Sequence, residues 1–254
     1  MSERLERTAA RDIFERGEIP ADGVLVVHSA IRNLSQQGFR AEAFIDAMLE
    51  LLPRGTLTMP AMSWRVCTPE NPYFDELETP SIVGALSEVF RTRYARVRSI
   101  HPTHSFCAIG PRAEELVADH FKGNTPCPPD SPIGRMPGME ARILLLGVGF
   151  ESCTLIHYPE EVVAPDFYLR PADGVVYRCT DKFGAVHAVE TRRHWRLNRD
   201  FPKFGRRLDA AGILVAGDVH GTSWSVCRAT DLCESVFAAL ADRIEGTLGD
   251  LVAG

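Results

Sequence analysis

The sequence predicts an α/β protein, a single domain with a β-rich insertion after about residue 165. Two continuous apolar runs, "GVLVVHSAI" (23–31) and "ARILLLGVGF" (141–150), read as strands buried on both faces. Segments of helical periodicity separate them. Beyond residue 165 the pattern turns to short strands with turn signals.

The first 17 residues carry a helical pattern ended by Gly17 and Pro20. The 23–31 strand follows, and its end delivers His28 and Ser29. "RAEAFIDAMLELL" (40–52) is a helix, "GTLTMPAMS" (55–63) a second strand, and the Pro- and acid-rich 65–81 a loop. A helix is expected over 83–94, an extended segment over 98–110, and a short helix over 112–120 after Pro111. The proline-rich 125–138 reads as an ordered loop. After the 141–150 strand comes a short helix through 153–161. A hairpin turns at Phe183 and Gly184. An amphipathic helix over 229–252, with Thr230 or Asp231 as N-cap, closes the chain. There are no internal repeats.

At 254 residues, with 45% hydrophobic and 24% charged residues, the chain can build a sizeable core without disulfides or a structural metal. A net charge of −6 argues against nucleic acid as a partner. No run reaches the length of a membrane span, and the charged N-terminus has no leader pattern. Seven cysteines without paired CxxC spacing suit a reducing compartment, so a cytoplasmic location is expected.

Chemistry concentrates in two places. "HPTHS" (101–105) sets His101 and His104 three apart around a proline. His157 lies past the end of the 141–150 strand, where open α/β sheets place their sites. Glu160 and Glu161 lie three and four residues further on, within reach of one helical face. A histidine beside a carboxylate is the minimum set for a general base near neutral pH. The same spacing also occurs as a plain structural pair, and spacing does not choose between them. A zinc site of His101, His104, His157 and Glu160 is conceivable, but Pro102 prevents a regular helical pair and no HExxH accompanies it. Cys153 lacks a nucleophile turn and reads as an inert thiol. "GVGFES" (147–152) lacks GxGxxG. Ser29, Ser63, Ser105 and Ser131 can each serve phosphate or cap a helix.

In order, "VLVVHSAIRNL", "LPRGTLTMPAMSW", "VRSIHPTHSFCAIGPRAEELVADH", "CPPDSPIGRM" and "RILLLGVGFESCTLIHYPEE" resemble the successive blocks of the aminoglycoside 3-N-acetyltransferase family, over about residues 5–165. The HPTHS and LLLGVG–TxxHxxE blocks are the most specific. The resemblance implies a three-layer α/β/α sandwich around a central mixed sheet. It implies direct acetyl transfer from acetyl-CoA to an amine, with no metal. His157 would then deprotonate the amine, Glu160 would support it, and Thr154 would line the oxyanion position. His28, Ser29, Arg98, Ser99, His104, Ser105 and Ser131 would form the CoA-facing walls. His101 is expected to be structural. The expected partners are acyl-CoA and a small-molecule amine, with neither nucleic acid nor membrane, and a homodimer is an allowed assembly.

The 3-amino group of an aminoglycoside is the first acceptor the resemblance implies, met by Glu70, Asp75 and Glu161. Yet "VETRRHWRLNRDFPKFGRR" (189–207) is crowded with arginines against two acids. If it faces the cleft it repels a polycation, and an amine bearing an anion becomes the alternative acceptor. A metal-dependent amide hydrolase and a CoA-binding protein without activity are the remaining alternatives.

Overall fold

The computed structural model describes residues 2–249. Its first half runs α1 (Ser2–Arg16), β1 (Val24–Ser29), α2 (Arg32–Gln36), α3 (Ala41–Leu51), β2 (Thr56–Pro60) and β3 (Tyr73–Asp75). Next come α4 (Ala85–Arg93), β4 (Val97–Arg98), β5 (Phe106–Ile109), α5 (Ala113–Val117) and α6 (Pro132–Arg135). β6 (Arg142–Leu146) leads through 3-10 turns at Phe150–Ser152 and Thr154–Ile156 into α7 (His157–Val163) and α8 (Pro165–Tyr168). The remainder is β7 (Val176–Thr180), β8 (Val186–Glu190), α9 (Pro202–Ala210), β9 (Val215–Val219), β10 (Thr222–Arg228) and α10 (Ala229–Asp242).

Seven strands form the main sheet in the order β4-β5-β2-β1-β6-β10-β9. β1 runs parallel to β2 and β6, and the flanking pairings are antiparallel, so the sheet is mixed. The continuous apolar runs of β1 and β6 feed both faces, because successive side chains point to opposite sides. Val24, Val26, Ile143 and Leu145 pack against side chains of α5, α9 and α10. Leu25, Val27, Leu144 and Leu146 pack against α1, α3 and α4. All eight are buried, each worth about 1.5–3 kcal/mol of transfer from water. The result is the three-layer α/β/α arrangement.

The β-rich segment after residue 165 supplies β7 and β8, which join β3 in a three-stranded sheet, β3-β7-β8, over a small core of Phe74, Tyr177, Cys179 and Val189. Arg98 ties it to the main sheet. Its guanidinium lies 4.7 Å over Phe74 and donates to the carbonyls of Thr79 and Ala61.

β1, β2 and β6 end at one edge. Gly147 makes the turn off β6 at φ +66°, where an added Cβ would stand 2.3 Å from the Ala30 carbonyl oxygen. The chain thus leaves the sheet sharply and carries His157 back over the strand ends.

Several boundaries differ from the sequence reading. The 65–81 loop contains β3, whose pairing partner lies about a hundred residues away. The 98–110 segment is two short strands, with HPTHS in the connection between them. The 125–138 loop contains α6, capped by Ser131. α10 starts after Arg228, which holds the N-cap position with no side-chain cap bond, so Asp231 falls in the first turn and favours the helix dipole instead. The helix ends at Asp242, and residues 250–252 of the expected helix lie outside the described residues. The pattern of 211–228 is broken by glycines and polar residues. It conceals β10, which takes its place in the sheet through pairing with β6.

Candidate active site

A cleft of about 1870 Å³ opens at the strand ends. Its walls bring together His28 and Ser29 from the end of β1, His104 from HPTHS, and Thr154 and His157 from the segment after β6. The sequence predicts each of these in a site. Ser29 is buried and its hydroxyl has no partner among the described residues. Gly84 and Ala85, at the start of α4, stand in the same walls.

His157 opens α7. One turn on, Glu160 is fully buried below it, and its Oε2 lies 2.7 Å from His157 Nδ1. Glu160 also receives Arg199 Nε, 2.9 Å from Oε1 and 3.1 Å from Oε2, and the Thr247 hydroxyl at 2.5 Å. Burial alone would raise this carboxyl. The charges and hydrogen bonds of His157 and Arg199 outweigh it and hold it at about 2. Burial, then the neighbouring His194, push His157 down to about 4. At neutral pH the pair is therefore a neutral imidazole beside a carboxylate. The carboxylate accepts a hydrogen bond from Nδ1–H and leaves Nε2 bare.

Four rings run along this wall. His157 stacks on His194 with centroids 4.1 Å apart, His194 meets His104 at 5.4 Å, and His104 meets Trp64 at 5.8 Å. His194 Nε2 lies 2.8 Å from Glu161 Oε1, off the hydrogen-bonding direction.

The remaining predicted residues are placed elsewhere. Arg98, Ser99, Ser105 and Ser131 do not line the cleft, because their polar groups are committed to the frame. Arg98 Nε donates to Ser105 Oγ, which in turn donates to the Ala61 carbonyl. Ser99 Oγ accepts from Phe106 N, and Ser131 Oγ accepts from Gly134 N. His101 is fully buried. Its Nδ1 accepts from the backbone N–H groups of Thr103 and His104, and its ring stacks on His120. Of the predicted acceptor carboxylates, only Glu70 lines the cleft. Asp75 turns its Oδ1 to the N–H groups of Leu77 and Glu78. Glu161 is buried and accepts from Cys127 N.

Among the described residues, the groups spaced to hold a metal are Cys127, Glu161 and His194, and His157, Glu160 and His194. Neither includes His101 or His104, so the four-residue zinc set does not assemble.

The sequence reading missed His194, Arg199 and Thr247, which lie far along the chain from His157. The 189–207 tract does face the cleft, through Arg193, His194, Trp195, Arg196, Arg199 and Phe201.

A neutral imidazole whose Nδ1 is held by a carboxylate, set past the end of β6 in an α/β sandwich, has the groups that a proton acceptor needs. Residues 26–241 match the family model for aminoglycoside 3-N-acetyltransferase, and the chain belongs to that family; it is an acyltransferase. It is 28% identical over 274 residues to aminoglycoside N(3)-acetyltransferase VII of Streptomyces paromomycinus, covering 92% of this chain and 91% of that protein. A histidine-to-alanine mutant of aminoglycoside acetyltransferase AAC(3)-IVa, crystallised with a gentamicin, superposes with a TM-score of 0.78. The two share 26% identity over 96% of this chain and 91% of that one. The acetyltransferase AAC-IIIb, crystallised with CoASH, shares the fold at a TM-score of 0.75 and 19% identity, over 93% of this chain and 96% of that one. No helix among the described residues is long and apolar enough to cross a membrane.

Proposed function

We propose that this chain, acting as a single domain, moves the acetyl group of acetyl-CoA directly to the amino group of a small-molecule acceptor, with His157 as general base. The observation that carries the reading is the His157–Glu160 pair, with Nδ1 occupied and Nε2 left for the cleft.

A protonated amine has no lone pair with which to attack. His157, neutral because burial holds its basicity down, takes the proton at Nε2. Assistance of this kind contributes about 10²–10⁴ in rate. The amine nitrogen then bonds to the thioester carbon, and the carbonyl oxygen becomes an oxyanion, to which the hydroxyl of Thr154, in the cleft wall, donates. Collapse breaks the C–S bond. CoA leaves as a thiolate that takes the proton held on Nε2, and the remaining extra proton on the new amide nitrogen passes to water, leaving the neutral amide. Through that cycle Glu160 offsets the imidazolium charge, while Arg199 and Thr247 hold the carboxylate in place. The scheme uses protein groups alone and needs no metal.

His28, the partnerless Ser29 hydroxyl and the start of α4 suit the CoA chain, since a helix N-terminus and a free hydroxyl both serve anionic or polar ligands. Two acceptor classes fit an amine at His157. The relatives' names support the 3-amino group of an aminoglycoside. The arginines of the cleft wall support an amine bearing an anion.

The test is thiol release from acetyl-CoA by wild type and His157→Ala. Turnover is expected to fall by about 10² or more, roughly 3 kcal/mol, with acetyl-CoA binding retained. Near-normal turnover in the variant would sink the assignment.

A further inference from the structure

We infer that the acceptor amine carries a phosphate group, held by the guanidinium groups of Arg65, Arg170 and Arg196. The inference rests on acyl transfer at His157 and names the substrate class of that site.

Six arginines but only three acids, Glu70, Glu151 and Asp173, line the cleft. Two of the acids are already engaged by backbone N–H groups: Glu151 accepts from Gly149 N, and Asp173 from Val175 N. Two of the arginines are also committed. Arg199 holds Glu160, and Arg193 donates to the Tyr177 hydroxyl and the Cys67 carbonyl. Arg65 and Arg196 are exposed and have no side-chain partner among the described residues. The guanidinium of Arg170 rests only on a ring face, 5.1 Å over Trp195.

Two of these cations neighbour, in the chain, rings packed on the site histidines, and the third, Arg170, lies over Trp195, the residue after His194. Arg65 follows Trp64, which packs on His104. Arg196 is two residues past His194, which stacks on His157. CoA carries its phosphates at the far end of a long pantetheine arm, away from its thioester. Cations beside the reacting centre therefore face the acceptor. A guanidinium matches phosphate with paired, charge-assisted hydrogen bonds. Trp64 and Trp195, both partly exposed in the same walls, offer flat apolar faces to the body of such a molecule. A polycation would meet unbalanced like charge here.

The experiment compares glucosamine with glucosamine 6-phosphate, a pair that differs only in the phosphate, and with gentamicin. Thiol release from acetyl-CoA is followed for wild type and Arg196→Gln. The phosphorylated amine is expected to exceed glucosamine by about tenfold or more in kcat/KM, as for a charge-assisted hydrogen bond. Arg196→Gln should erase that preference and leave the KM for acetyl-CoA unchanged. Equal use of the pair, or better use of gentamicin, would overturn the inference while acyl transfer stands. So would an Arg196→Gln variant that raises the KM for acetyl-CoA and keeps the acceptor preference, because the arginine would then serve the CoA phosphates. Silence from all three amines overturns it as well; if acetyl-CoA then still raises Tm, the donor assignment survives, and if it does not, the acyl-transfer reading falls too.

Discussion

Two histidine pairs stack within the same molecule and differ in what their nitrogens do. His101 and His120 lie 4.4 Å apart, both fully buried, with every nitrogen engaged. His101 Nε2 faces Thr191 Oγ1, and His120 is held between Ser99 Oγ and the Pro126 carbonyl. His157 and His194 lie 4.1 Å apart on the cleft wall, and His157 keeps one nitrogen free. Histidine content and ring stacking do not separate the structural pair from the one proposed to react. The free nitrogen at the cleft wall does.

The largest effect is expected from breaking the second pair at its carboxylate. Glu160→Gln leaves Arg199 unpaired in a buried site and should cost about 3–5 kcal/mol of stability. Turnover should fall by about 10² in the fraction that stays folded, because the amide can stabilise neither the tautomer nor the imidazolium. Denaturant titration and thiol release read the two effects separately. His101→Phe sharpens the contrast. It strands the N–H groups of Thr103 and His104 and should cost about 1–3 kcal/mol, with turnover in the folded protein within about threefold of wild type.

The remaining effect is on pH. Burial pushes His28, His120 and His157 to about 4, and takes His101 and His104 well below their ordinary 6.5. All five are neutral in the fold. Below pH 6.5 the unfolded chain binds protons that the fold does not, so stability is full above 6.5 and declines as pH drops toward 4. Glu160 acts in a lower window: its contribution, full above 4.5, is lost as pH falls through about 2. Urea midpoints should therefore fall steadily from about pH 6.5 to about 4, and the fall should be shallower in His101→Phe. A flat midpoint across that range would contradict the burial of neutral imidazoles.

What the sequence made legible follows from distance along the chain. His157 and Glu160 are one helical turn apart, so periodicity alone juxtaposes them. His28 and Ser29 were readable as the end of a buried strand. Arg199 and Thr247 reach the same carboxylate from 39 and 87 residues away, and no local pattern encodes that meeting. Ser99, Ser105 and Ser131 misled for the opposite reason. A serine inside a conspicuous motif can hold the frame as readily as a ligand, and only the hydrogen-bond partners decide. β10 escaped notice because its place beside β6 comes from pairing rather than from its own apolar content.

The central claim is that His157 rests as a neutral base with its proton on Nδ1. Nitrogen-15 NMR of the imidazole side chains at about pH 7, with His157 assigned by its loss in His157→Gln, tests it directly. The account predicts a neutral ring protonated at Nδ1 and bare at Nε2. A ring protonated at Nε2, or at both nitrogens, would contradict it.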